Sequence, residues 1–286
     1  MKGILLAGGK GLRLWPLTKT VNKQILPVYD KPMIYYPLVT LMLAGVTEIL
    51  LVTSKAHLKQ FEELLSDGSQ WGIRILYAIQ TEPKGVADAF SYVPESFRSE
   101  SVMLVLGDNL LYGMGLGTSL RNAFSGKGAK CFAYLVSNPQ DYGVIKLDES
   151  KNPISIVEKP KSFISNYAIP GVYFFDSKVY SYREDLEPSL RGEYEITDLL
   201  RKYQNANLLA VDVLERGTAW LDTGNASHLI AAGEFVRVIE ERQGLKIGCP
   251  EEVAFREGLI SSVELRNLCQ KMPKGSYRDY LENLCE

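Results

Sequence analysis

Four short, predominantly apolar runs within the first 106 residues restrict the folds open to this chain more than any other feature. They lie at residues 4–7, 48–53, 73–78 and 102–106. Runs of strand length without polar alternation are typical of strands that are buried on both faces of a parallel sheet. The sequence therefore predicts a parallel β-sheet that is covered by helices on both sides.

Helical segments are predicted between these runs. Asp30 can cap one helix, whose first turn tolerates Pro32 and which Gly45 would end. Two more helices are predicted over residues 56–65 and 86–92. Alternating strands and helices favour an α/β fold, a doubly wound, Rossmann-like mixed sheet, and such sheets gather ligands at the carboxyl ends of their strands.

After residue 128 the pattern changes to closely spaced strand-like runs and then to helices. We predict a β-rich insertion that carries part of a second binding surface. Its runs lie at residues 130–136, 144–147, 154–157 and 171–175. Further on, Asn225 can cap a long helix that ends near Gly244. Pro250 opens a second helix, and Ser261 with Glu264 has capping-box spacing for a third.

Charge and cysteine content narrow the possible functions. The 286-residue chain has 32 Lys and Arg against 34 Asp and Glu, a net charge of −2. This balance argues against a general nucleic-acid or membrane-surface binder, because such surfaces carry a basic excess. The four cysteines form no CxxC pair and only two histidines accompany them, so we expect free thiols rather than a zinc site. No apolar run approaches the roughly 20 residues of a membrane span, and we expect a cytoplasmic protein.

The run at residues 4–7 leads into a glycine-rich turn, LAGGKGLRL at residues 6–14. Glycines at a strand end let backbone N–H groups approach a phosphate, and a following arginine adds a charged contact. The turn is not a dinucleotide-binding GxGxxG, because Leu14 stands where the third glycine belongs. Nor is it a Walker A motif, which would need glycine at Ile4 and Ser or Thr at Gly11. From the residues alone, a phosphate-binding loop and a tight turn with a surface arginine both stay open.

The glycine-rich turn is the first of several short strings along the chain. The others, in order, are PLT (16–18), KQILP (23–27), YDKPMIYYP (29–37), GSQWG (68–72), LGDN (106–109), EKP (158–160), GEYEITD (192–198), AWLDTG (219–224) and EERQGLK (240–246). Together they resemble the sugar-1-phosphate nucleotidyltransferases, and in particular the members that use dTTP and glucose 1-phosphate. The resemblance runs from residue 2 to about residue 282.

This resemblance implies a reaction and an organisation of the chain. An oxygen of the sugar phosphate would attack the α-phosphorus of dTTP, releasing pyrophosphate and forming dTDP-glucose for biosynthesis of the dTDP-rhamnose type. Such a transfer needs in-line positioning and neutralisation of phosphate charge, with Mg²⁺ as the expected cofactor. Residues 1–239 would form the catalytic domain, with 1–128 mainly nucleotide-binding and 129–224 mainly sugar-binding. Residues 240–286 would form a helical regulatory and oligomerisation segment, in a homotetramer inhibited by a dTDP-sugar.

The resemblance assigns the phosphate and metal contacts to charged residues. Asp108 and Asp222 would hold Mg²⁺, which is usually bound by one or two carboxylates together with phosphate oxygens and water. Arg13 and Lys23 would contact the nucleotide phosphates, and Lys159 the sugar phosphate. Because Pro160 follows Lys159, we expect an extended backbone at Lys159. Without the family, an aspartate at a strand end can equally be a cap or turn former, and a lysine is usually solvated. The implied catalytic set is Arg13, Lys23, Asp108 and Lys159.

The same resemblance implies two binding sets. The nucleotide-binding set is Gly8, Gly9, Gly11, Arg13, Lys23, Gln24, Gln80, Gly85 and Asp108. The sugar-binding set is Asn109, Tyr142, Gly143, Glu158, Lys159, Val172, Tyr173 and Trp220. Glutamine amides suit base recognition, because they present a donor and an acceptor to the edge of a pyrimidine. Without the family, aromatic residues at such positions are more often part of the core.

The chain departs from the family pattern at a few positions. Leu12 stands where Thr or Ser is common, and Lys84 where an acidic residue is common, which leaves the same chemistry with UTP or another sugar 1-phosphate as an alternative. Met114 replaces a common histidine on the family's regulatory surface. Two other classes are disfavoured. A dinucleotide-dependent oxidoreductase lacks its third glycine, and a catalytically silent nucleotide-sugar sensor would be expected to lose one of the charged residues.

Overall fold

Fourteen strands form one large sheet and two small ribbons in the computed structural model, which describes residues 1–285. In chain order they are β1 (Lys2–Ala7), β2 (Pro27–Val28), β3 (Lys31–Pro32), β4 (Glu48–Thr53), β5 (Arg74–Ile79), β6 (Val102–Leu106), β7 (Asn109–Tyr112), β8 (Ala129–Leu135), β9 (Gly143–Leu147), β10 (Pro153–Glu158), β11 (Tyr167–Ala168), β12 (Val172–Phe175), β13 (Leu209–Val213) and β14 (Ala219–Asp222). The large sheet has the order β10-β9-β11-β8-β12-β6-β1-β4-β5, and β13 also pairs with β8.

The predicted parallel sheet is formed by β6, β1, β4 and β5, which pair in that order. Leu5 of β1 lies opposite Leu51 of β4 and Val105 of β6. The strands β4 and β6 have the predicted limits, whereas β1 begins earlier than predicted and β5 is shifted by one position. The predicted doubly wound α/β class is confirmed at the centre of the sheet.

The predicted β-rich insertion continues the central sheet and does not form a sheet of its own. The strand β12 pairs antiparallel with β6 on one side and with β8 on the other. Antiparallel pairing then adds β11, β9 and β10, while β13 runs parallel to β8. Because β12 and β6 are antiparallel neighbours, the start of β12 lies beside the carboxyl end of β6. The insertion therefore reaches the edge at which the parallel strands end.

The two small ribbons were not anticipated. In the first, β7 pairs with β14 and Asn109 lies opposite Asp222. In the second, β2 and β3 form a hairpin around Asp30. The prediction that Asp30 caps a helix is therefore wrong, and the following helix begins only at Tyr35. The carboxylate of Asp30 instead pairs with two lysines, one of them far away in sequence, which a local pattern does not reveal.

Nine α-helices complete the described part of the chain. They are α1 (Tyr35–Leu43), α2 (Leu58–Leu65), α3 (Leu116–Asn122), α4 (Val179–Glu184), α5 (Ile196–Asn205), α6 (Ala226–Gln243), α7 (Pro250–Arg256), α8 (Ser262–Lys271) and α9 (Ser276–Asn283). The helix predicted over residues 86–92 is a 3₁₀ helix, Ala87–Tyr92.

The three predicted C-terminal helices are confirmed together with their caps. The side-chain oxygen of Asn225 accepts a backbone N–H in the first turn of α6 at 2.9 Å, and Gly244 ends that helix with a φ of 67°. Pro250 is the first residue of α7. Ser261 and Glu264 make both hydrogen bonds of a capping box at the start of α8. These predictions are confirmed because a helix cap depends only on residues that are close together in the sequence.

Hydrophobic cores cover both faces of the sheet. Leu5 and Ala7 of β1 face a core that is shared with α1, α2 and the C-terminal helices, whereas Ile4 faces a core beneath α4 and α5. This alternation is expected for a strand that is buried on both sides. A third, smaller cluster includes Val28 of β2 and Val236 of α6. The helix α6 thus packs against the β2–β3 hairpin.

All four cysteines are unpaired thiols, as predicted. Cys131, Cys249 and Cys269 are buried. Burial raises the pKa of the Cys131 thiol to about 12, so this group is protonated and unreactive at neutral pH. Among residues 1–285, no helix combines the length and the apolar character that crossing a membrane requires.

Candidate functional site

The β7–β14 ribbon brings two aspartates together at the carboxyl edge of the sheet. Asp108 lies between β6 and β7, and Asp222 ends β14 opposite Asn109. Thr223 donates its backbone N–H (3.2 Å) and its hydroxyl (2.8 Å) to the backbone carbonyl of Asp108. Two carboxylates that are distant in sequence are thereby held at the end of a parallel strand, where open α/β sheets bind their ligands.

A buried lysine neutralises the first of these carboxylates. Lys23, in the 3₁₀ turn Lys23–Ile25, forms an ion pair with Oδ2 of Asp108 and is only 6% exposed. Burial alone would raise the pKa of the Asp108 carboxyl, but the Lys23 ammonium and a hydrogen bond from Asn109 outweigh it and lower that pKa. Asp108 is therefore ionised, and Lys23 is not a solvated surface lysine.

The pKa of the second carboxylate is shifted in the opposite direction. Burial and the negative charge of Asp108 raise the pKa of Asp222 above its usual value, although Lys23, Arg13 and His228 act in the other direction. The His228 Nδ1 atom lies 3.7 Å from Asp222 Oδ2. The repulsion between the two aspartates is thus only partly compensated by the cationic side chains around them.

The carboxylate oxygens of Asp108 and Asp222 are suitable ligands for a metal cation whose remaining ligands a substrate would supply. A divalent ion between them would remove the repulsion that raises the pKa of Asp222. Within residues 1–285, no group of three or more His, Cys, Asp and Glu side chains is placed to hold a metal ion. A cation held by these two carboxylates would take its other ligands from phosphate oxygens and water. That ligand set fits Mg²⁺.

Asn109 connects Asp108 to the sugar side of the predicted site. Its amide nitrogen donates to Asp108 Oδ1 at 2.9 Å. Its oxygen accepts from the Trp220 indole N–H at 2.6 Å and from the Gly171 backbone N–H at 3.0 Å. Because both donors require an oxygen, the amide nitrogen must face Asp108. Trp220 and Asn109 therefore fix the orientation of that carboxylate.

A cavity of about 250 Å³ opens beside Asp108 on the side of the insertion. Tyr142 and Trp220 form part of its wall and meet edge to face, with ring centroids 5.0 Å apart. Val172 does not line the cavity, because its side chain is fully buried in the core. The predicted site residues that do line it are Arg13, Asp108, Asn109, Tyr142, Gly143, Glu158, Lys159, Tyr173, Trp220 and Asp222.

Glu158 reaches this cavity from the end of β10. Burial and the nearby Glu195 carboxylate raise the pKa of Glu158 above its usual value. The Thr197 hydroxyl donates to Glu158 Oε2 at 3.3 Å, and Arg191 Nη2 lies 3.5 Å from Oε1. The carboxylate is therefore held by groups of α5 and of the loop before it, and it can accept hydrogen bonds from hydroxyl groups in the cavity.

Lys159 has an unusual backbone conformation. The expectation that Pro160 keeps this residue extended is wrong, because its φ is 41°, in the left-handed region. The Lys159 N–H donates to the Tyr142 carbonyl at 3.0 Å, which holds the end of β10 against the start of β9 while the chain turns. Non-glycine residues in this region cost about 1–3 kcal/mol, and they cluster at functional sites.

A second cavity, of about 400 Å³, opens on the glycine-turn side of Asp108. Gly11 has a φ of 59° and leads into the 3₁₀ turn Leu12–Leu14, which carries Arg13. Arg13 and Asp108 line both cavities and form the wall that the two share. The predicted nucleotide residues that line the second cavity are Gly9, Gly11, Arg13, Lys23, Gln24 and Asp108.

The other predicted nucleotide residues lie beside or behind this cavity. Gln80 is 4% exposed and its amide oxygen lies against Gly8. Gly85 faces the Tyr194 backbone, where an added Cβ would lie 2.5 Å from the carbonyl oxygen. Gln24 Oε1 is buried and has no hydrogen-bond partner among the described residues. Since an unsatisfied buried acceptor costs about 1–3 kcal/mol, this atom is available to a donor on a ligand.

Several cavity residues received no role from the sequence. Thr197 lines the sugar-side cavity, and Glu193, Gly224 and Pro83 line the other. The first three belong to strings that contributed to the family resemblance, at residues 192–198 and 219–224. The strings indicated that these segments matter. They did not indicate which of their side chains face a cavity.

Comparisons with known proteins identify a family and several relatives of this chain. Residues 2–238 match the family described as nucleotidyl transferase. The glucose-1-phosphate thymidylyltransferase of Mycolicibacterium smegmatis is 49% identical over 286 residues, which cover 100% of this chain and 99% of that protein. The protein of the same name from Xanthomonas campestris pv. campestris (strain B100) is 48% identical, with 100% and 97% coverage.

Two solved structures share the fold. One, from Bacillus anthracis, is assigned as a glucose-1-phosphate thymidylyltransferase in complex with sucrose. It is 35% identical, with a TM-score of 0.75 over 83% of this chain and 95% of that one. The other is a UDP-glucose pyrophosphorylase complexed with UDP-glucose, which is 23% identical with a TM-score of 0.74 over 83% of this chain and 98% of that one. At that identity the second similarity concerns the fold alone.

Proposed function

This chain belongs to the nucleotidyl transferase family, and we propose that it transfers a thymidylyl group from dTTP to glucose 1-phosphate. The products would be dTDP-glucose and pyrophosphate. Enzymes of this family act on a nucleoside triphosphate and a sugar 1-phosphate. The choice of thymine and glucose is supported by relatives of that name that are 48–50% identical along the whole chain.

The observation that carries this proposal is the wall shared by the two cavities. Arg13 and Asp108 line both. A nucleotide in the glycine-turn cavity and a sugar phosphate in the other would therefore meet at these two side chains. In-line displacement at a phosphorus needs this arrangement, with the attacking oxygen on one side and the leaving pyrophosphate on the other.

Asp108 and Asp222 would hold the metal ion. Enzymes of this family generally use a divalent metal, and we propose Mg²⁺ because the site offers two carboxylates and leaves the remaining ligands to phosphate and water. When bound, the ion supplies neutralisation of phosphate charge. The Asp108 carboxylate is kept ionised by Lys23 and oriented by Asn109.

The cationic side chains would act on phosphate oxygens. Arg13 lines both cavities, so its guanidinium can stabilise the negative charge that grows as the α-phosphorus becomes five-coordinate. Lys23 would bind the nucleotide phosphates while it pairs with Asp108. Lys159, on the rim of the sugar-side cavity, would hold the sugar phosphate. None of these steps requires a covalent intermediate with the protein.

The remaining predicted residues would recognise the two substrates. On the nucleotide side, Gly8, Gly9 and Gly11 would bring the backbone close to the phosphates, and Gln24, Gln80 and Gly85 would contact the base. On the sugar side, the Glu158 carboxylate would accept hydrogen bonds from sugar hydroxyls. Asn109, Tyr142, Gly143, Tyr173 and Trp220 would shape that cavity, and Val172 would contribute only its backbone.

The decisive experiment is a substrate panel in the presence of Mg²⁺, followed by release of pyrophosphate. We expect dTTP with glucose 1-phosphate to give the highest kcat/KM among pairs of nucleoside triphosphates and sugar 1-phosphates. If UTP exceeded dTTP by about tenfold in kcat/KM, the thymine assignment would be wrong. A thermal-shift titration gives a second readout, in which dTTP with Mg²⁺ should stabilise the protein and NAD should not.

The resemblance also supports proposals about the oligomeric state, the regulation, the localisation and the pathway of the protein. We propose a cytoplasmic homotetramer in the dTDP-rhamnose type of pathway, with residues 240–286 as its regulatory and oligomerisation segment and a dTDP-sugar as feedback inhibitor. The boundary at residue 239 lies inside α6, so the segment would be joined to the catalytic domain, 1–239, by a continuous helix. Light scattering and inhibition assays with dTDP-sugars would test these proposals.

A further inference from the structure

A polar cluster surrounds the buried side chain of Asp88, and only one of its members, Gln80, has a role in the function proposed above. Its members are Gln80, Asp88, Tyr92 and Arg183. Gln80 and Asp88 are each 4% exposed. The Asp88 carboxylate accepts from Arg183 Nη2 at 2.8 Å through Oδ1, and through Oδ2 from the Tyr92 hydroxyl at 3.1 Å and Gln80 Nε2 at 3.3 Å.

This cluster determines which end of the Gln80 amide points toward the glycine turn. An ionised carboxylate that is paired with arginine only accepts hydrogen bonds, so the Gln80 atom that faces Asp88 must be the amide nitrogen. The amide oxygen then points the other way, toward Gly8, where an added Cβ would lie 2.2 Å from it. Gly8 thus makes room for the Gln80 oxygen at the end of β1.

The same cluster supports the backbone around Gly85. The Arg183 guanidinium stacks on the Tyr194 ring, 3.6 Å from its centroid. The Tyr194 backbone N–H donates to the Lys84 carbonyl at 2.7 Å, and its carbonyl accepts from the Ala87 N–H at 3.1 Å. One ion pair, between Asp88 and Arg183, therefore supports two of the segments that are predicted to contact the base, those of Gln80 and Gly85.

We propose that Asp88 is a positioning residue that determines base specificity by fixing the orientation of the Gln80 amide. This inference rests on the proposed function, in which Gln80 contacts the base. A fixed amide oxygen accepts a hydrogen bond from the N3–H of thymine or uracil. Cytosine carries a lone pair at N3 and meets that oxygen with repulsion. With the amide turned over, the preference would reverse, because nitrogen would then face the ring.

The experiment compares Asp88→Asn with the wild-type chain. An asparagine at this position presents either an oxygen or an amide nitrogen, so it no longer dictates the orientation of Gln80. We expect the ratio of kcat/KM for dTTP to that for dCTP to fall by about tenfold or more, since a site loses discrimination when its polar groups can rearrange. The ratio for dTTP to dUTP should change by less than about twofold, because thymine and uracil present the same N3–H.

Two controls separate this role from a general structural one. Tyr92→Phe removes a donor to the same Asp88 oxygen but keeps the carboxylate, so it should leave the dTTP to dCTP ratio unchanged. If Asp88→Asn fails to fold because Arg183 is left unpaired, the comparison is made between Arg183→Gln and the double variant Arg183→Gln/Asp88→Asn. In that background no arginine is left beside residue 88, and the same loss of discrimination is expected on adding Asp88→Asn.

Two outcomes would overturn the proposal. One is an unchanged dTTP to dCTP ratio in a folded variant that lacks the Asp88 carboxylate. The other is a fall of equal size in the dTTP to dUTP ratio, which would indicate general disorder of the pocket. Failure of the proposed function is distinguishable from both, because the wild-type chain itself would then not favour dTTP.

Discussion

Two clusters of charged side chains in this molecule each contain a buried lysine, Lys23 in one and Lys31 in the other, yet they are built differently. The first, which we call the strand-end cluster, consists of Asp108, Asp222, Lys23 and Arg13. The second, the junction cluster, consists of Asp30, Lys31, Glu240 and Lys246, and it joins the β2–β3 hairpin to the end of α6 and the segment after it.

The junction cluster is balanced. Glu240 accepts from Lys31 Nζ at 2.7 Å, from Lys246 Nζ at 2.8 Å and from the Ile247 backbone N–H at 2.8 Å. Asp30 pairs with the same two lysines. Burial alone would raise the pKa of Asp30, but these two ammonium groups outweigh it and lower that pKa. Two carboxylates thus meet two cations, and each charge has a partner.

The strand-end cluster is not balanced in this way. Its two carboxylates repel each other, so the pKa of Asp222 is raised while that of Asp108 is lowered. A folded protein usually avoids such unrelieved repulsion, because it costs stability. This difference is expected if the junction cluster is structural and the strand-end cluster, as proposed above, holds a cation that arrives with the substrate.

The sharpest test of this contrast is removal of a strand-end carboxylate. We expect Asp108→Asn and Asp222→Asn each to lower kcat by on the order of 10²–10³, because the metal ion that they would hold neutralises phosphate charge that grows in the transition state. The KM for glucose 1-phosphate should change much less. Wild-type turnover in either variant, measured by pyrophosphate release, would remove that residue from the metal site.

Breaking the junction cluster should affect stability and leave catalysis intact. Glu240→Gln leaves the buried Lys31 and the half-buried Lys246 with one carboxylate, that of Asp30, which should cost about 3 kcal/mol of unfolding free energy. Urea unfolding measures this loss, and Glu241→Gln on the exposed side of α6 is the matched control. A large fall in kcat per folded molecule, without a loss of stability, would contradict the assignment of a structural role.

A single added methyl group tests how tightly the strand-end cluster is packed. At Gly224, an added Cβ would lie 2.7 Å from Asp222 Oδ2 and 2.8 Å from Arg13 Nη2. We expect Gly224→Ala to displace both groups and lower kcat/KM by about tenfold to a hundredfold, with little change in the thermal midpoint. The comparison variant is Gly217→Ala, whose site has open space but a positive φ, so it should affect stability and not rate.

The smallest expected effect is on the pH dependence of stability. The pKa of Asp30 is lowered in the folded state, so its carboxylate stabilises the fold above its ordinary value of 3.8. That contribution is lost as the pH falls through the lowered value. The difference in unfolding free energy between the wild-type chain and Asp30→Asn should therefore shrink between pH 6 and pH 3. A constant difference across this range would show that the charge of Asp30 contributes no stability.

The sequence predicted the local structure well where local chemistry decides it. The parallel strands and the caps at Asn225 and Ser261 are confirmed because hydrophobic runs and capping residues act over a few positions. The prediction at Asp30 is wrong because the partners of that carboxylate include Lys246, at the other end of the chain. The backbone of Lys159 was expected to be extended, but its φ lies in the left-handed region. Its N–H donates to the carbonyl of Tyr142, just before β9, a contact that the local sequence does not reveal.

The sequence by itself determined the family, the four central parallel strands, and the residue types that a phosphate and a cation require. Only the tertiary structure decided which of those residues meet. The short β7–β14 ribbon places Asp222 beside Asp108, Lys23 becomes a buried partner of Asp108, and Val172 turns into the core. These outcomes depend on contacts between segments far apart in the chain, and such contacts arise only when the sheet and its ribbons assemble.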